Sequence, residues 1–276
     1  MKSVLEDAGP QDSVLQAWLK AIESTQTFRE MVNILSEIFK VKPSDVGQDP
    51  PDNPTEYRDE DSDFGLRVRG KKAREDLNRR AREIIDRVRE PSELSDEDRE
   101  VLRQYSGRGG LTENSQFEYY TPVPVADGVW DALRENGFVN GNVLEPSAGA
   151  GVFSATKPRG CIITGTEIDP VASRVNQLLH PEDTIFTQGF ERLAVDVPDD
   201  TYDAVVGNVP FGGARGATAH DDPAHKNEKR IERYFILRTI DKVKPGGLIC
   251  LVVPINIVGA KGKQWEQFRI AVSKKA

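Results

Sequence analysis

The spacing of apolar residues changes along the chain, and the change divides it into regions. Between residues 12 and 40 apolar positions recur at helical spacing, which predicts a helical N-terminal segment, residues 1–41. Residues 42–66 are rich in Pro, Asp and Glu and predict an acidic flexible linker. Residues 67–110 predict a basic helix at 68–89 and a short helix at 96–105, which Ser95 and Asp98 start with a capping box.

Residues 111–276 have a different rhythm, in which short apolar runs of strand type alternate with helical segments. Strands are predicted at residues 142–144, 162–166, 184–187, 204–206 and 248–253. Helices are predicted at residues 124–136, 170–179, 228–243 and 264–272, with a short one after residue 151. Strands separated by helices form parallel sheets. The sequence therefore predicts an α/β domain with a doubly wound, mostly parallel sheet and an N-terminal helical extension.

Composition and charge exclude few classes of function. The formal net charge of −8 argues against a surface covered by nucleic acid, but it allows local basic patches. The basic helix at 68–89 has two interpretations, a solvated charged face or a phosphate-contacting face. Cys161 and Cys250 lie in strand-like runs and predict buried, reduced thiols. His220 and His225 lie in a polar loop, and no metal site is expected there.

The sequence contains neither a predicted membrane span nor a predicted secretion signal. No apolar run approaches the length needed to cross a bilayer, and the residues after Met1 lack the apolar core of a secretion signal. A cytoplasmic protein without a membrane partner is expected.

A glycine-rich loop after the first predicted strand indicates a cofactor site. Glu145-Pro146-Ser147-Ala148-Gly149-Ala150-Gly151 joins that strand to a helix, and the glycines allow close approach of the backbone to a ligand. Ser154 stands where a dinucleotide-binding loop has its third glycine, and no Walker Lys-Ser/Thr pair follows. Glu167, at the end of the next strand, can accept hydrogen bonds from ribose hydroxyls. The combination favours S-adenosylmethionine over a dinucleotide.

A second motif, Asn208-Val209-Pro210-Phe211, follows the strand at 204–206. It resembles the Asn-Pro-Pro-Phe/Tyr signature with which methyltransferases hold an amine, and this resemblance implies that a substrate amine is held here. The lone pair of an aromatic amine is delocalised, so acceptors for its N–H groups stabilise the nitrogen as it becomes tetrahedral. Each well-placed acceptor contributes ~3 kcal/mol to such electrostatic stabilisation. Asn208 Oδ1 and the carbonyl of Val209 are the predicted acceptors, and Phe211 would stack on a base taken out of the duplex.

Two further segments supply weaker candidates. Gln188-Gly189-Phe190-Glu191 follows the third strand, where a side chain can pair with an adenine. Residues 214–230 form a polar loop that carries four cations. That loop either contacts nucleic acid or is simply mobile. The predicted nucleic-acid contacts are Arg215, Lys226, Lys229 and Arg230.

These motifs together resemble the amino-methyltransferases, whose Tyr-Thr-Pro motif precedes the cofactor loop, as Tyr119-Tyr120-Thr121-Pro122 does here. More narrowly, residues 67–260 are similar to the methyltransferase portion of large phage and plasmid helicase–methylase polypeptides, some of them linked to antirestriction. The quoted segments are Tyr105-Ser106-Gly107-Arg108-Gly109-Gly110, Leu144-Glu145-Pro146-Ser147-Ala148-Gly149-Ala150-Gly151 and Gly207-Asn208-Val209-Pro210-Phe211-Gly212.

The resemblance implies a Rossmann-like DNA adenine methyltransferase that uses S-adenosylmethionine and binds DNA. It implies catalytic roles for Asn208, Val209, Pro210 and Phe211. The implied cofactor-binding residues are Tyr120, Thr121, Pro122, Glu145, Pro146, Ser147, Gly149, Gly151, Glu167, Ile168, Gln188, Phe190 and Asn208.

Three alternatives stay open from the sequence. The acceptor could be RNA, or a protein amine or amide, because similar Asn-Pro motifs serve those substrates. The chain could also be a non-catalytic or incomplete module that acts in assembly or DNA binding. The resembling fold continues beyond the fifth strand and this chain lacks those last strands, so the run Leu248–Val253 would form an open edge. We expect a partner chain, a dimer contact or the N-terminal helices to cover that edge.

Overall fold

The computed structural model describes residues 71–107, 121–210, 212, 215 and 220–275. The chain divides into two compact units, residues 1–58 with 255–262 and residues 59–254 with 263–276. Of the first unit, only residues 255–262 are described. The predicted helical segment 1–41 and the acidic linker 42–66 lie outside the described residues, as do Tyr119, Tyr120 and Phe211.

The described elements, numbered here in chain order, follow the predicted alternation. Before the sheet lie α1 (Lys71–Arg87), α2 (Asp96–Arg103) and α3 (Val123–Glu135). The sheet region contains β1 (Gly141–Glu145), α4 (Val152–Thr156), β2 (Cys161–Thr166), α5 (Pro170–Leu179), β3 (Thr184–Phe186), α6 (Phe190–Asp196), β4 (Tyr202–Asn208), α7 (Ile231–Lys242) and β5 (Val243–Val252). Two helices follow, α8 (Asn256–Gly259) in the first unit and α9 (Lys263–Lys275) in the second.

The strands form one parallel sheet of five, in the order β3-β2-β1-β4-β5. The chain moves outward from β1 through β2 to β3 and then returns to the other side of β1 for β4. Ligands of open α/β sheets bind beyond the carboxyl ends of the strands at such a reversal. Glu145 ends β1 and Asn208 ends β4, so this topology places both residues at the reversal point.

Helices cover both faces of the sheet, as a doubly wound fold requires. Successive strand residues point to opposite faces. Val143 therefore packs in a core with Trp130 of α3 and Phe153 of α4. Leu144, the next residue, packs in the other core with helices α6 and α7. The predicted fold class is confirmed. Helix α6 was not predicted, because its two turns are too short to show a helical period.

Helices α1 and α2 pack on α5 around a third core that includes Val88, Leu102 and Leu178. The predicted capping box at the start of α2 is confirmed, since Ser95 and Asp98 exchange hydrogen bonds there. Carboxylates neutralise several cations of the basic helix. The ion pairs are Arg79 with Asp76 and Glu83, Arg80 with Glu97, and Arg87 with Asp98. This pairing favours a solvated charged face for α1.

Strand β5 lies at one edge of the sheet. Helices α3 and α7 contact it, and α9 packs against α7. Within the described part of the chain, β4 is the strand that pairs with β5 and nothing pairs with its outer side. A partner that covers this edge therefore stays a prediction.

Three other expectations concern the cysteines, metal ligands and membrane-spanning helices. Cys161 is buried, Cys250 is half-buried and neither forms a disulfide. In the described ranges, no three His, Cys, Asp or Glu side chains group as metal ligands would. No helix among those residues is long and apolar enough to cross a membrane.

Candidate functional site

The loop after β1 depends on two glycines with left-handed backbone angles. Gly149 has φ 52° and Gly151, the N-cap of α4, has φ 100°. A Cβ atom on residue 151 would lie 2.7 Å from Asn176 Oδ1 and 2.9 Å from His180 Cδ2, both on the α5 side. Both the backbone angle and the contact therefore require glycine at position 151.

Hydrogen bonds fix this loop to the end of β2. The Ala148 N–H donates to the carbonyl of Thr166 at 2.8 Å, and the Thr166 hydroxyl donates to the carbonyl of Pro146 at 2.9 Å. The Gly149 N–H donates to Glu167 Oε2 at 2.8 Å. The loop and the acidic residue predicted to bind ribose are therefore held together as one structure.

The Glu167 carboxylate is oriented from both sides. Its Oε1 accepts the Asp169 N–H at 2.8 Å, opposite the bond from Gly149. Burial raises the pKa of Glu167 above its ordinary value, and these backbone N–H groups oppose that rise. Each carboxylate oxygen can accept a further hydrogen bond. The next side chain, Ile168, is 70% exposed and offers an apolar surface beside the carboxylate.

Glu145 lies fully inside the protein at the end of β1. It is 1% exposed, and Oε2 has no hydrogen-bond partner in the described structure. Burial raises the pKa of this carboxyl well above its ordinary value, with smaller contributions from the charges of Asp183 and Glu167. Strand β4 approaches closely here, because a Cβ on Gly207 would lie 3.9 Å from Glu145 Cγ.

Asn208 ends β4 with a buried acceptor. Its Oδ1 atom is buried and has no hydrogen-bond partner among the described residues. The Val209 side chain, 1% exposed, packs in the core formed with α6 and α7. That packing accounts for an apolar side chain at this position. Pro210 is half-buried. Since buried polar atoms are nearly always paired in folded proteins, the Asn208 oxygen marks a place where a donor can bind.

The remaining predicted cofactor residues have mixed environments. Thr121 and Pro122 are half-buried at the start of α3, where the Pro122 carbonyl accepts the first helical N–H groups. Ser147 and Gln188 are half-buried. Phe190 is 2% exposed, and its ring centre lies 5.2 Å from that of Phe235. The aromatic ring of Phe190 therefore anchors α6 in the core.

The four predicted nucleic-acid contacts separate into two kinds. Lys226, Lys229 and Arg230 are exposed. The Arg215 side chain is fully buried, with its guanidinium 3.5 Å from the centre of the Tyr234 ring. A guanidinium in this position is engaged inside the protein rather than presented to a phosphate.

The sequence interpretation missed two polar side chains at the end of α5, Asn176 on the helix and His180 at its C-cap. Asn176 is 0% exposed with both amide atoms unpartnered in the described structure, and His180 Nε2 is likewise buried without a partner. Burial lowers the pKa of His180 to about 4. One sequence signal could have indicated these two residues. Asn176 and His180 are four positions apart, which places them on one side of the helical turn, near the apolar Ala172, Val175 and Leu178.

Comparison with solved structures defines the class of fold. A putative class I S-adenosylmethionine-dependent methyltransferase from Listeria monocytogenes has a TM-score of 0.51 and 14% identity, over 95% of this chain and 80% of that chain. A modification subunit of a putative type I restriction enzyme from Vibrio vulnificus YJ016 has a TM-score of 0.44 and 16% identity, over 74% of this chain and 44% of that chain. The first of these likenesses shows a Rossmann-like methyltransferase fold.

Sequence comparison finds a more particular relative. The chain is 46% identical over 213 residues to the Defense against restriction protein B of Escherichia phage P1. The match covers 76% of this chain and 9% of the phage protein, so the chain corresponds to a small part of that relative's length. No family model matches the chain.

Proposed function

We propose that the chain is an S-adenosylmethionine-dependent methyltransferase that modifies the N6 amine of adenine in DNA. The observation that carries this proposal is the buried Oδ1 of Asn208 at the reversal point of the sheet, which no described residue partners. A buried acceptor left without a hydrogen-bond donor costs about 1–3 kcal/mol, and an amine N–H from a substrate would remove that cost.

The cofactor side of the site fits S-adenosylmethionine. Glu167 is held by Gly149 and Asp169 with acceptor capacity remaining on both oxygens, which suits two ribose hydroxyls. Ile168 presents an apolar surface on which an adenine ring could lie. When bound, S-adenosylmethionine supplies an electrophilic methyl group. The chain's own residues contribute by fixing the loop after β1 and by excluding water from the end of β4.

On the substrate side, Asn208 Oδ1 accepts one amine N–H and the carbonyl of Val209 accepts the other. The buried Val209 side chain fixes the backbone that carries this carbonyl. Two acceptors aimed at one nitrogen stabilise the positive charge that develops when the lone pair attacks. An adenine reaches such a site only after it leaves the base stack.

DNA is preferred as the substrate because of the sequence relative. Its name connects it with defence against restriction, and the 46% identity extends over three quarters of this chain. RNA, a protein amine or amide, and a non-catalytic role remain as outcomes of the test. The match covers 9% of the phage protein, so its full activity need not be carried by this segment.

The test uses the full chain with Asn208→Ala and a matched control, Asn142→Ala. Asn142 is an exposed asparagine on β1 of the same sheet. We expect wild type and Asn142→Ala to transfer labelled methyl groups to adenine in duplex DNA, and Asn208→Ala to lose at least 100-fold in rate. Cofactor affinity measured by calorimetry should change little in Asn208→Ala and fall sharply in Glu167→Gln.

Each alternative has its own signature in this experiment. Full activity of Asn208→Ala would remove the role given to that residue. Label in RNA or protein but not in DNA would replace the substrate. Folded wild-type protein that binds no S-adenosylmethionine would favour the non-catalytic module.

A further inference from the structure

Exposed cations gather where the segment after the Asn208 motif enters α7. Lys226, Lys229 and Arg230 are all exposed, and none of their ammonium or Nη groups has a carboxylate partner among the described residues. Three arginines of α1 differ, since the Nη groups of Arg79, Arg80 and Arg87 are themselves paired with acids. The chain is acidic as a whole, with a net charge of −8. Two exposed lysines that no described carboxylate engages, beside an arginine paired through Nε alone, are therefore a local exception.

Buried Arg215 holds this segment in place. Its backbone N–H donates to the carbonyl of Lys229 at 2.8 Å, so the chain beyond Asn208 returns to the start of α7. Its guanidinium donates to the carbonyls of His225 and Glu228 at 2.8 and 3.2 Å and lies 3.4 Å from Glu191 Oε1. The exposed cations are therefore carried by a fixed backbone.

Arg230 has the most defined geometry of these cations. Its Nε donates to Glu232 Oε1 at 2.8 Å, and Glu232 is fully buried, which anchors the base of the guanidinium. The guanidinium lies 5.2 Å from the ring centre of Trp265 on α9, within cation–π range. Nevertheless 44% of the Arg230 side chain is exposed. An oriented guanidinium with free Nη donors suits the paired oxygens of a phosphate.

Neighbouring charges modify this surface without cancelling it. Arg233 also lies near Trp265, at 5.8 Å, but Glu228 engages its guanidinium at 2.6 and 3.0 Å. Glu266 is exposed one residue beyond Trp265. The donors of this surface that no described carboxylate engages are therefore the ammonium groups of Lys226 and Lys229 and the Nη groups of Arg230.

We propose that Lys226, Lys229 and Arg230, with Arg230 oriented by Trp265, form a surface that binds the phosphate backbone of the DNA beside the target base. This inference rests on the proposed function, because it takes DNA as the substrate. The bond from Arg215 to Lys229 ties the surface to the segment that follows Asn208. That bond holds Lys229 beside Arg215, which lies seven positions after Asn208 in the sequence.

The test measures binding of the full chain to a fluorescently labelled duplex at several salt concentrations. Each phosphate contact contributes about 0.9 to the slope of log K against log salt. The triple variant with glutamine at positions 226, 229 and 230 should reduce that slope by about 2 to 3. Trp265→Leu should give part of the Arg230→Gln effect, because the indole orients that guanidinium.

The control is Lys274→Gln, which removes an exposed lysine at the far end of α9, and we expect it to leave the slope unchanged. An unchanged slope in the triple variant, or an equal drop in the control, would overturn the surface proposal. Neither result would bear on cofactor binding or on the role of Asn208. The surface proposal would also be overturned if the protein bound RNA more tightly than DNA, or if the folded wild type bound no DNA. Calorimetry with S-adenosylmethionine would show separately whether the methyltransferase proposal stands.

Discussion

Replacing Gly151 by alanine would test how the loop after β1 is built. At φ 100° a side chain costs about 1–2 kcal/mol, because Cβ approaches the backbone in left-handed conformations. The new Cβ would also lie 2.7 Å from Asn176 Oδ1 and 2.9 Å from His180 Cδ2. Overpacking of this kind costs about 1–3 kcal/mol. Together they predict a loss of about 2–5 kcal/mol in the free energy of unfolding.

The matched control is Gly137→Ala, at the end of α3. Gly137 has φ 94°, and a Cβ there would meet nothing within 4 Å. It should therefore show the backbone cost of about 1–2 kcal/mol alone. Urea denaturation followed by circular dichroism measures both variants, and the double variant Gly151→Ala/Asn176→Ala should recover part of the loss. Equal destabilisation by the two alanine substitutions would refute the close contact between the loop and α5.

Three further predictions concern other parts of the fold. Because burial lowers the pKa of His180 from 6.5 to about 4, the His180 contribution to stability should fall by about 3 kcal/mol as the pH drops from 6.5 to 4. The difference between wild type and His180→Gln in urea titrations across that pH range measures this contribution. Ile168→Ser should weaken S-adenosylmethionine binding several-fold in calorimetry, whereas Ile162→Ser, at a 51% exposed position of β2, should not; equal effects would remove the adenine contact. Arg215→Gln should lower the thermal midpoint by the equivalent of about 3–5 kcal/mol, because it removes the buried guanidinium that pairs with Glu191 and donates to the carbonyls of His225 and Glu228. An unchanged midpoint would contradict the buried pairing.

The sequence by itself determined the order of the five strands and of the longer helices, and the positions of the local motifs. The alternation of strand-type and helix-type spacing was enough to predict the doubly wound sheet, because both spacings are visible among residues close together in the sequence. The glycines of the loop after β1 and the acid at the end of β2 were found for the same reason. Their surroundings in the sheet agree with the geometry expected of a cofactor loop.

Only the tertiary structure decided which polar side chains lie inside and what they contact. Arg215 has the sequence context of a surface cation, yet Glu191 and Tyr234, from distant elements, enclose it. Asn176 became important only when α5 was placed against the glycine of the loop. The spacing of residues along the chain indicates which backbone conformation a segment prefers and which face of a helix or strand is buried. The partners of a long or buried polar side chain depend on elements distant in sequence, and packing alone brings those elements together.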